Sequence, residues 1–234
     1  MDIIAIITEW LAAPRTIRVW ELLTTSFTQL LVPGLLVTIP LTAVSYAIGL
    51  VIALITAMVQ VADIKILRKL ARFYVWIFRG TPLLVQLYIV FYGLPKIGIM
   101  LDAIPSAIIV FSLNTGAYDS ETIRAAIESV NPGQLEAGYC VGMSYLQTMR
   151  RIILPQALRT AFPPLSNSLI GLVKDTSLAA NITVVEMFLA AQRIAARTYE
   201  PLLLYCEVAV EYLLFCTVLT WLQHVCEKKL QPKR

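Results

Sequence analysis

The chain has 234 residues; 58% are hydrophobic, only 15% are charged, and the mean hydropathy is +0.74. A soluble domain carries about 25% charged residues, so a water-soluble fold is excluded and one all-α membrane domain of several helices is expected. The net charge of +4 is modest, and its distribution says more than its sum.

Residues 1–29 mix Glu9, Arg15, Arg18 and Glu21 with apolar positions, which suits a peripheral helix at the membrane surface rather than a cleaved leader. Leu30 to Val59 holds no charge and exceeds the roughly 20 residues needed to span; Pro33 and Pro40 are positioned to bend it. Val61–Arg72 reads as a short loop with Lys65, Arg68, Lys69 and Arg72. Phe73–Leu94 is the second expected span and contains the unusual run Arg79-Gly80-Thr81-Pro82. After a short loop, Ile104–Ile127 is the third, with Asn114, Tyr118, Asp119 and Glu121 inside it. Leu165–Ala191 is the fourth, interrupted by Lys174-Asp175-Thr176-Ser177. A polar stretch, Arg193–Pro201, leads to the fifth, Leu202–Cys226, with Glu207 and Glu211. The chain thus divides into a peripheral segment 1–29, a transmembrane domain 30–226 and a basic tail 227–234.

Between the third and fourth spans lies a polar stretch, Asn131–Pro164, that cannot sit in lipid. It reads as two short helices joined by a turn. Asn131 caps the first, and Gly142 suits its left-handed stop. Ser144 with Gln147 opens the second as a capping box, and Pro155 ends or bends it. Twelve of the 19 basic residues fall on the side of this stretch and the tail, against five opposite, with Arg79 and Lys174 inside spans. The bias puts the two-helix loop and the C-terminus in the cytoplasm, and five spans then put the N-terminus outside.

Ionisable groups at membrane depth face a cavity or a partner. At about 1.5 Å per residue, Arg79 lies about 9 Å from the cytoplasmic face, level with Asp119, so it is expected to pair with Asp119 or Glu121. Lys174 and Glu211 both fall near the midplane, which suggests a polar zone of Lys174, Asp175, Ser177 and Glu211; mutual neutralisation of Lys174 and Asp175 at a helix break is the competing reading. The four cysteines and His224 show no metal-ligand spacing.

Glu136-Ala137-Gly138, Gly142, Ile152, Leu154 and Pro155 together resemble the loop signature of ABC importer permeases, with Gly138 in place of an alanine. That departure is expected to loosen the first helix by roughly 1 kcal/mol. FRGTPLLVQL, SLNTGAY, ILPQALR, PPLSNS and LVKDTSLA resemble the polar amino-acid subfamily, and are most similar to its cystine permeases. The resemblance implies the type I importer permease fold in a bacterial inner membrane. It implies a coupling helix at 131–164 that docks on a cytoplasmic ATPase, present in two copies, which binds the ATP and magnesium. It also implies a second permease subunit, identical or not, and an extracytoplasmic binding protein that delivers the solute. No cofactor is expected in this chain, which lacks the Gly-x4-Gly-Lys-Ser/Thr loop, and nucleic acid is not an expected partner. Candidates for the solute path are Arg79, Gln86, Asn114, Tyr118, Asp119, Glu121, Asn167, Lys174, Asp175, Ser177 and Glu211.

A stand-alone proton-coupled transporter is the main alternative, with Asp119, Glu121, Glu207 and Glu211 as relay groups, though no internal repeat is visible. A membrane enzyme is disfavoured, since His-Glu-x-x-His and Gly-x-Ser-x-Gly are both missing.

Overall fold

A computed structural model describes residues 14–62 and 64–230. Residues 1–13 of the expected peripheral segment and residues 231–234 of the expected basic tail lie outside these. The described chain is helical throughout: α1 (Pro14–Pro33), α2 (Ile39–Val61), α3 (Lys65–Gly80), α4 (Leu83–Tyr88), α5 (Ala103–Glu128), α6 (Gly133–Cys140), α7 (Tyr145–Thr148), α8 (Leu154–Asp175), α9 (Met187–Thr198) and α10 (Pro201–Leu230). A wide π turn, Gly34–Thr38, joins α1 to α2 between the two prolines. A proline removes one ladder hydrogen bond, and the extra residue of a π turn absorbs the mismatch without ending the helix.

Arg18–Val61 therefore runs as 44 helical residues, about 66 Å at 1.5 Å per residue and twice the bilayer core. It and Pro201–Lys229 are long and apolar enough to cross a membrane alone. Two further pairs qualify only when joined: α3 with Leu83–Ile97, bent by 103°, and Tyr145–Ile182 with α9, bent by 53°. The remaining expected span is α5. It falls short on apolarity because of Asp119, Glu121, Arg124 and Glu128, and is instead shielded by α2, α3, α4 and α8.

At the centre, α2 and α5 run parallel, Ser45 level with Ser112 and Ala57 level with Ile123. Their contact is made of small residues: Ser45, Gly49, Ala53 and Ala57 meet Ser112, Thr115, Gly116 and Ser120. Lipid gives helices no hydrophobic reason to associate, so close backbone approach must supply the attraction. A Cβ on Gly116 would fall 2.7 Å from Ile52 and 2.9 Å from the Tyr74 hydroxyl, so only glycine fits there.

Three segments differ from expectation. Lys65–Arg72 is helix, not loop, because its basic and apolar residues segregate onto separate faces. Helix continues to Thr198, where the polar stretch was expected as a connection, and Tyr199 (φ 58°) ends it in the left-handed region. The fourth span begins at Leu154 and carries Pro163 and Pro164 within α8.

Candidate functional site

The two-helix loop is built as its caps dictate. Asn131 Oδ1 accepts from Gly133 N–H at 2.8 Å. Ser144 N–H donates to Gln147 Oε1 at 2.9 Å, and Gln147 N–H returns a bond to Ser144 Oγ at 3.3 Å, completing the capping box. Gly142 sits at φ +78°. The bend at Pro155 is taken up just before it, by a π turn over Met149–Ile153.

Gly138 has a purpose the sequence did not disclose. It is buried against Thr148, whose exposure is 0%; a Cβ at 138 would lie 2.5 Å from both Thr148 Cγ2 and Oγ1. Whatever glycine costs in helix propensity, the missing methyl lets α6 seat on α7. Met149 and Ile153 then enter one core with Ala53, Ala57, Ile123 and Ala157, flanked by Ile152 and Leu154. The loop is thus rooted in the bundle. Glu136, Ala137, Gly142 and Pro155 stay exposed, joined by the exposed side chains Tyr139, Val141, Tyr145 and Leu146. Sequence reading passed over those four; the available signal was apolar residues in a stretch too polar to be a span.

A second feature lies deeper. A cavity of about 370 Å³ opens between α4, α5 and α8, lined by Thr81, Phe111, Asn114, Thr115, Tyr118, Ser168 and Asp175 among others. Asn114, Tyr118 and Asp175 were expected on the solute path; Ser168 was not. Arg79 lies beside it, its guanidinium 5.3 Å from the centre of the Tyr118 ring.

Other candidates stand elsewhere. Gln86 is a structural brace at the break between α3 and α4. Its amide nitrogen donates to the carbonyls of Phe78 (2.9 Å) and Thr81 (3.1 Å), and its oxygen accepts from Asn114 at 3.1 Å. Backbone groups freed by a broken helix inside a bilayer need such partners. Arg79 reaches Glu121 only at 3.9 Å, and Glu121 is held at 2.8 Å by Arg124. The alternative pairing of Arg79 with Asp119 is not formed. Asp119 is 2% exposed, lies beside Ser168, and leaves Oδ2 without a partner among the described residues.

The expected zone of Lys174, Asp175, Ser177 and Glu211 is not assembled. Lys174 and Ser177 line a separate groove of about 550 Å³ with Tyr212 and Cys216, while Asp175 faces the first cavity. Glu211 is buried at 1% exposure on the face of α10 that carries Leu204, Val208 and Phe215, against α1 and α9. Asn167 is exposed and lines neither space.

Residues 49–232 match the family model described as "Binding-protein-dependent transport system inner membrane component". The L-cystine transport system permease protein TcyB of Bacillus subtilis (strain 168) is 50% identical over 212 residues, covering 90% of this chain and 91% of that protein. The probable amino-acid ABC transporter permease protein YckA of the same organism is 42% identical, covering 85% and 88%. Among solved structures, an amino acid ABC transporter crystallised with histidines superposes with a TM-score of 0.82 at 32% identity, covering 88% of this chain and 96% of that one. The MetNI methionine transporter shares the fold at 20% identity and a TM-score of 0.74. A family match over most of the chain, relatives at this identity and a bundle carrying an exposed two-helix loop agree: the chain belongs to the family of binding-protein-dependent transport system inner membrane components, as an amino-acid ABC importer permease.

Proposed function

We propose that this permease imports L-cystine, that residues 131–164 face the cytoplasm and dock on a separate ATPase, and that the solute passes the cavity lined by Asn114, Tyr118 and Asp175. The N-terminus lies outside and the C-terminus inside. ATP and magnesium are bound by two ATPase subunits, a second permease completes the path, and an extracytoplasmic binding protein delivers the solute.

One observation carries the reading: loop and cavity are joined by the same two helices. Asn114 and Tyr118 stand on α5, whose C-terminus leads directly into the loop. Ser168 and Asp175 stand on α8, whose first turns, from Leu154, form the last part of the loop. A push on the loop, rooted through Met149 and Ile153, therefore moves two walls of the cavity together. Coupling of this kind needs two conformations, each favoured by a different ligand.

Orientation is supported by the grouping of basic residues. The ends of α2 and α5 share a core with the loop, so Lys65, Lys69, Arg124, Arg150 and Arg151 all stand at one end of the bundle. Cystine is supported by the relative at 50% identity. The cavity's acidic Asp175 and nearby Arg79 offer opposite charges to the ammonium and carboxylate of an amino acid.

The test is reconstitution into proteoliposomes with a cognate ATPase and solute-binding protein, followed by uptake of labelled cystine. Uptake should require ATP and should fall with Glu136→Lys. Uptake by this chain alone, driven by a proton gradient without nucleotide, would overturn the reading.

A further inference from the structure

Helix α3 exposes two parallel stripes that the transport reading does not use. Lys65, Lys69, Arg72 and Trp76 recur at intervals of four, three and four, so they fall within one narrow arc of the helix surface, and all are exposed. Ile66, Leu70, Phe73 and Ile77 form a second exposed arc, turned about 100° from the first. The remaining face carries Val75, which is buried, and Tyr74, which donates to the Leu113 carbonyl at 2.6 Å.

Among the described residues the basic stripe has no carboxylate to neutralise it. Lys65, Lys69 and Arg72 make no ion pair among the described residues. Arg68 is left out of the stripe, since it donates to the Ala62 carbonyl at 2.7 Å, and so is Arg79, which faces Glu121.

Direction matters as much as composition. The segment after α3 is bent from it by 103°, and that segment packs along α5 through Leu87 against Ala107, Val110 and Phe111. Two helices at right angles cannot both follow the bilayer normal. Of the two, α3 has the amphipathic character that suits the membrane plane, and its N-terminus sits at the end of the bundle where α2 and the two-helix loop meet.

We propose that α3 is a docking surface for anionic phospholipid headgroups of the leaflet on the two-helix-loop side. Lys65, Lys69 and Arg72 contact phosphates, Trp76 sits at headgroup level, and Ile66, Leu70, Phe73 and Ile77 enter the acyl layer. Segregated basic and apolar faces are what an interfacial helix needs, and an aromatic ring beside the charges suits the headgroup region. Each basic residue near an anionic surface favours binding about fivefold, so three give a preference large enough to retain lipid selectively.

The test keeps Trp76 as the only tryptophan, through Trp10→Phe, Trp20→Phe and Trp221→Phe, and reads its fluorescence in nanodiscs. Dibrominated phosphatidylglycerol or dibrominated phosphatidylcholine is added at equal low mole fraction to a phosphatidylcholine bilayer. Quenching by the anionic lipid should exceed that by the zwitterionic one at least about twofold. Lys65→Gln, Lys69→Gln and Arg72→Gln together should bring the ratio to one, while Lys65→Arg, Lys69→Arg and Arg72→Lys should preserve it. Equal quenching in the parent protein, or an unchanged ratio in the glutamine variant, would overturn the proposal. So would a Trp76 shielded from both lipids, as a second copy seated on α3 would produce. No ATPase, binding protein or solute is present, so the outcome does not depend on the transport reading.

Discussion

Replacing Gly138 by alanine sets two effects of similar size against each other. Helix propensity alone favours alanine by about 1 kcal/mol within α6. Packing opposes it: the new Cβ would lie 2.5 Å from two Thr148 atoms, and Thr148 is wholly buried with no free space to retreat. Forcing a methyl into such a contact costs about 1–3 kcal/mol. Packing should therefore win or draw, with a net loss of about 0–2 kcal/mol local to the loop. Thr148→Ala removes both offending atoms, leaving only Cβ at 3.1 Å. The pair Gly138→Ala and Thr148→Ala should be better than the sum of the single changes by about 1–3 kcal/mol, because contacting residues are not additive. Hydrogen–deuterium exchange over residues 133–148 of the purified permease reads the opening free energy of this segment directly. Slower exchange in Gly138→Ala, or strict additivity in the pair, would refute the argument that the glycine exists to admit Thr148.

Gln86→Leu keeps the volume but leaves the Thr81 carbonyl without this donor and the Phe78 carbonyl with only the longer bond from Asn114, at about 1–3 kcal/mol for an unmet carbonyl; the thermal unfolding midpoint should fall clearly, and an unchanged midpoint would show that Gln86 is no brace. Asp175→Asn and Tyr118→Phe should raise the KM for cystine uptake with little change in stability, whereas Lys174→Gln should leave KM alone, because Lys174 faces the other groove. Arg79→Gln and Asp119→Asn should be additive in stability within about 0.5 kcal/mol, the result for residues that share no contact; a larger coupling would mean that the two pair after all. Leu146→Ala, at 70% exposure, should leave the fold intact and weaken solute-stimulated ATP hydrolysis in the reconstituted complex; full stimulation would remove the loop tip from the docking face.

Much of this architecture was legible from residue order because it rests on local rules. An uncharged run of thirty residues has no stable place outside lipid, and a capping box with a following proline marks a helix start wherever it occurs. The Ser144–Gln147 box, the left-handed Gly142 and the adjustment around Pro155 formed as those rules require. What remained hidden was direction around each helix. Counting residues along a span gives height, about 1.5 Å at a time, and on that count Asp119 was set level with Arg79. It says nothing of azimuth, which turns by about 100° per residue. Tyr118 and Glu121 turn toward Arg79, while Asp119 turns away and meets Ser168 instead. The same blindness merged Lys174 with Asp175, neighbours in the chain that open into separate spaces. The 103° bend after Gly80 belongs to this class too. Gly and Pro announced that a break was possible, but the freed carbonyls are met by Gln86 from the next turn and by Asn114 from α5, and those partners hold the two halves in place. Periodicity and charge are properties of the chain alone; which faces meet depends on which small residues let α2 and α5 close together, and only the packed bundle determines that.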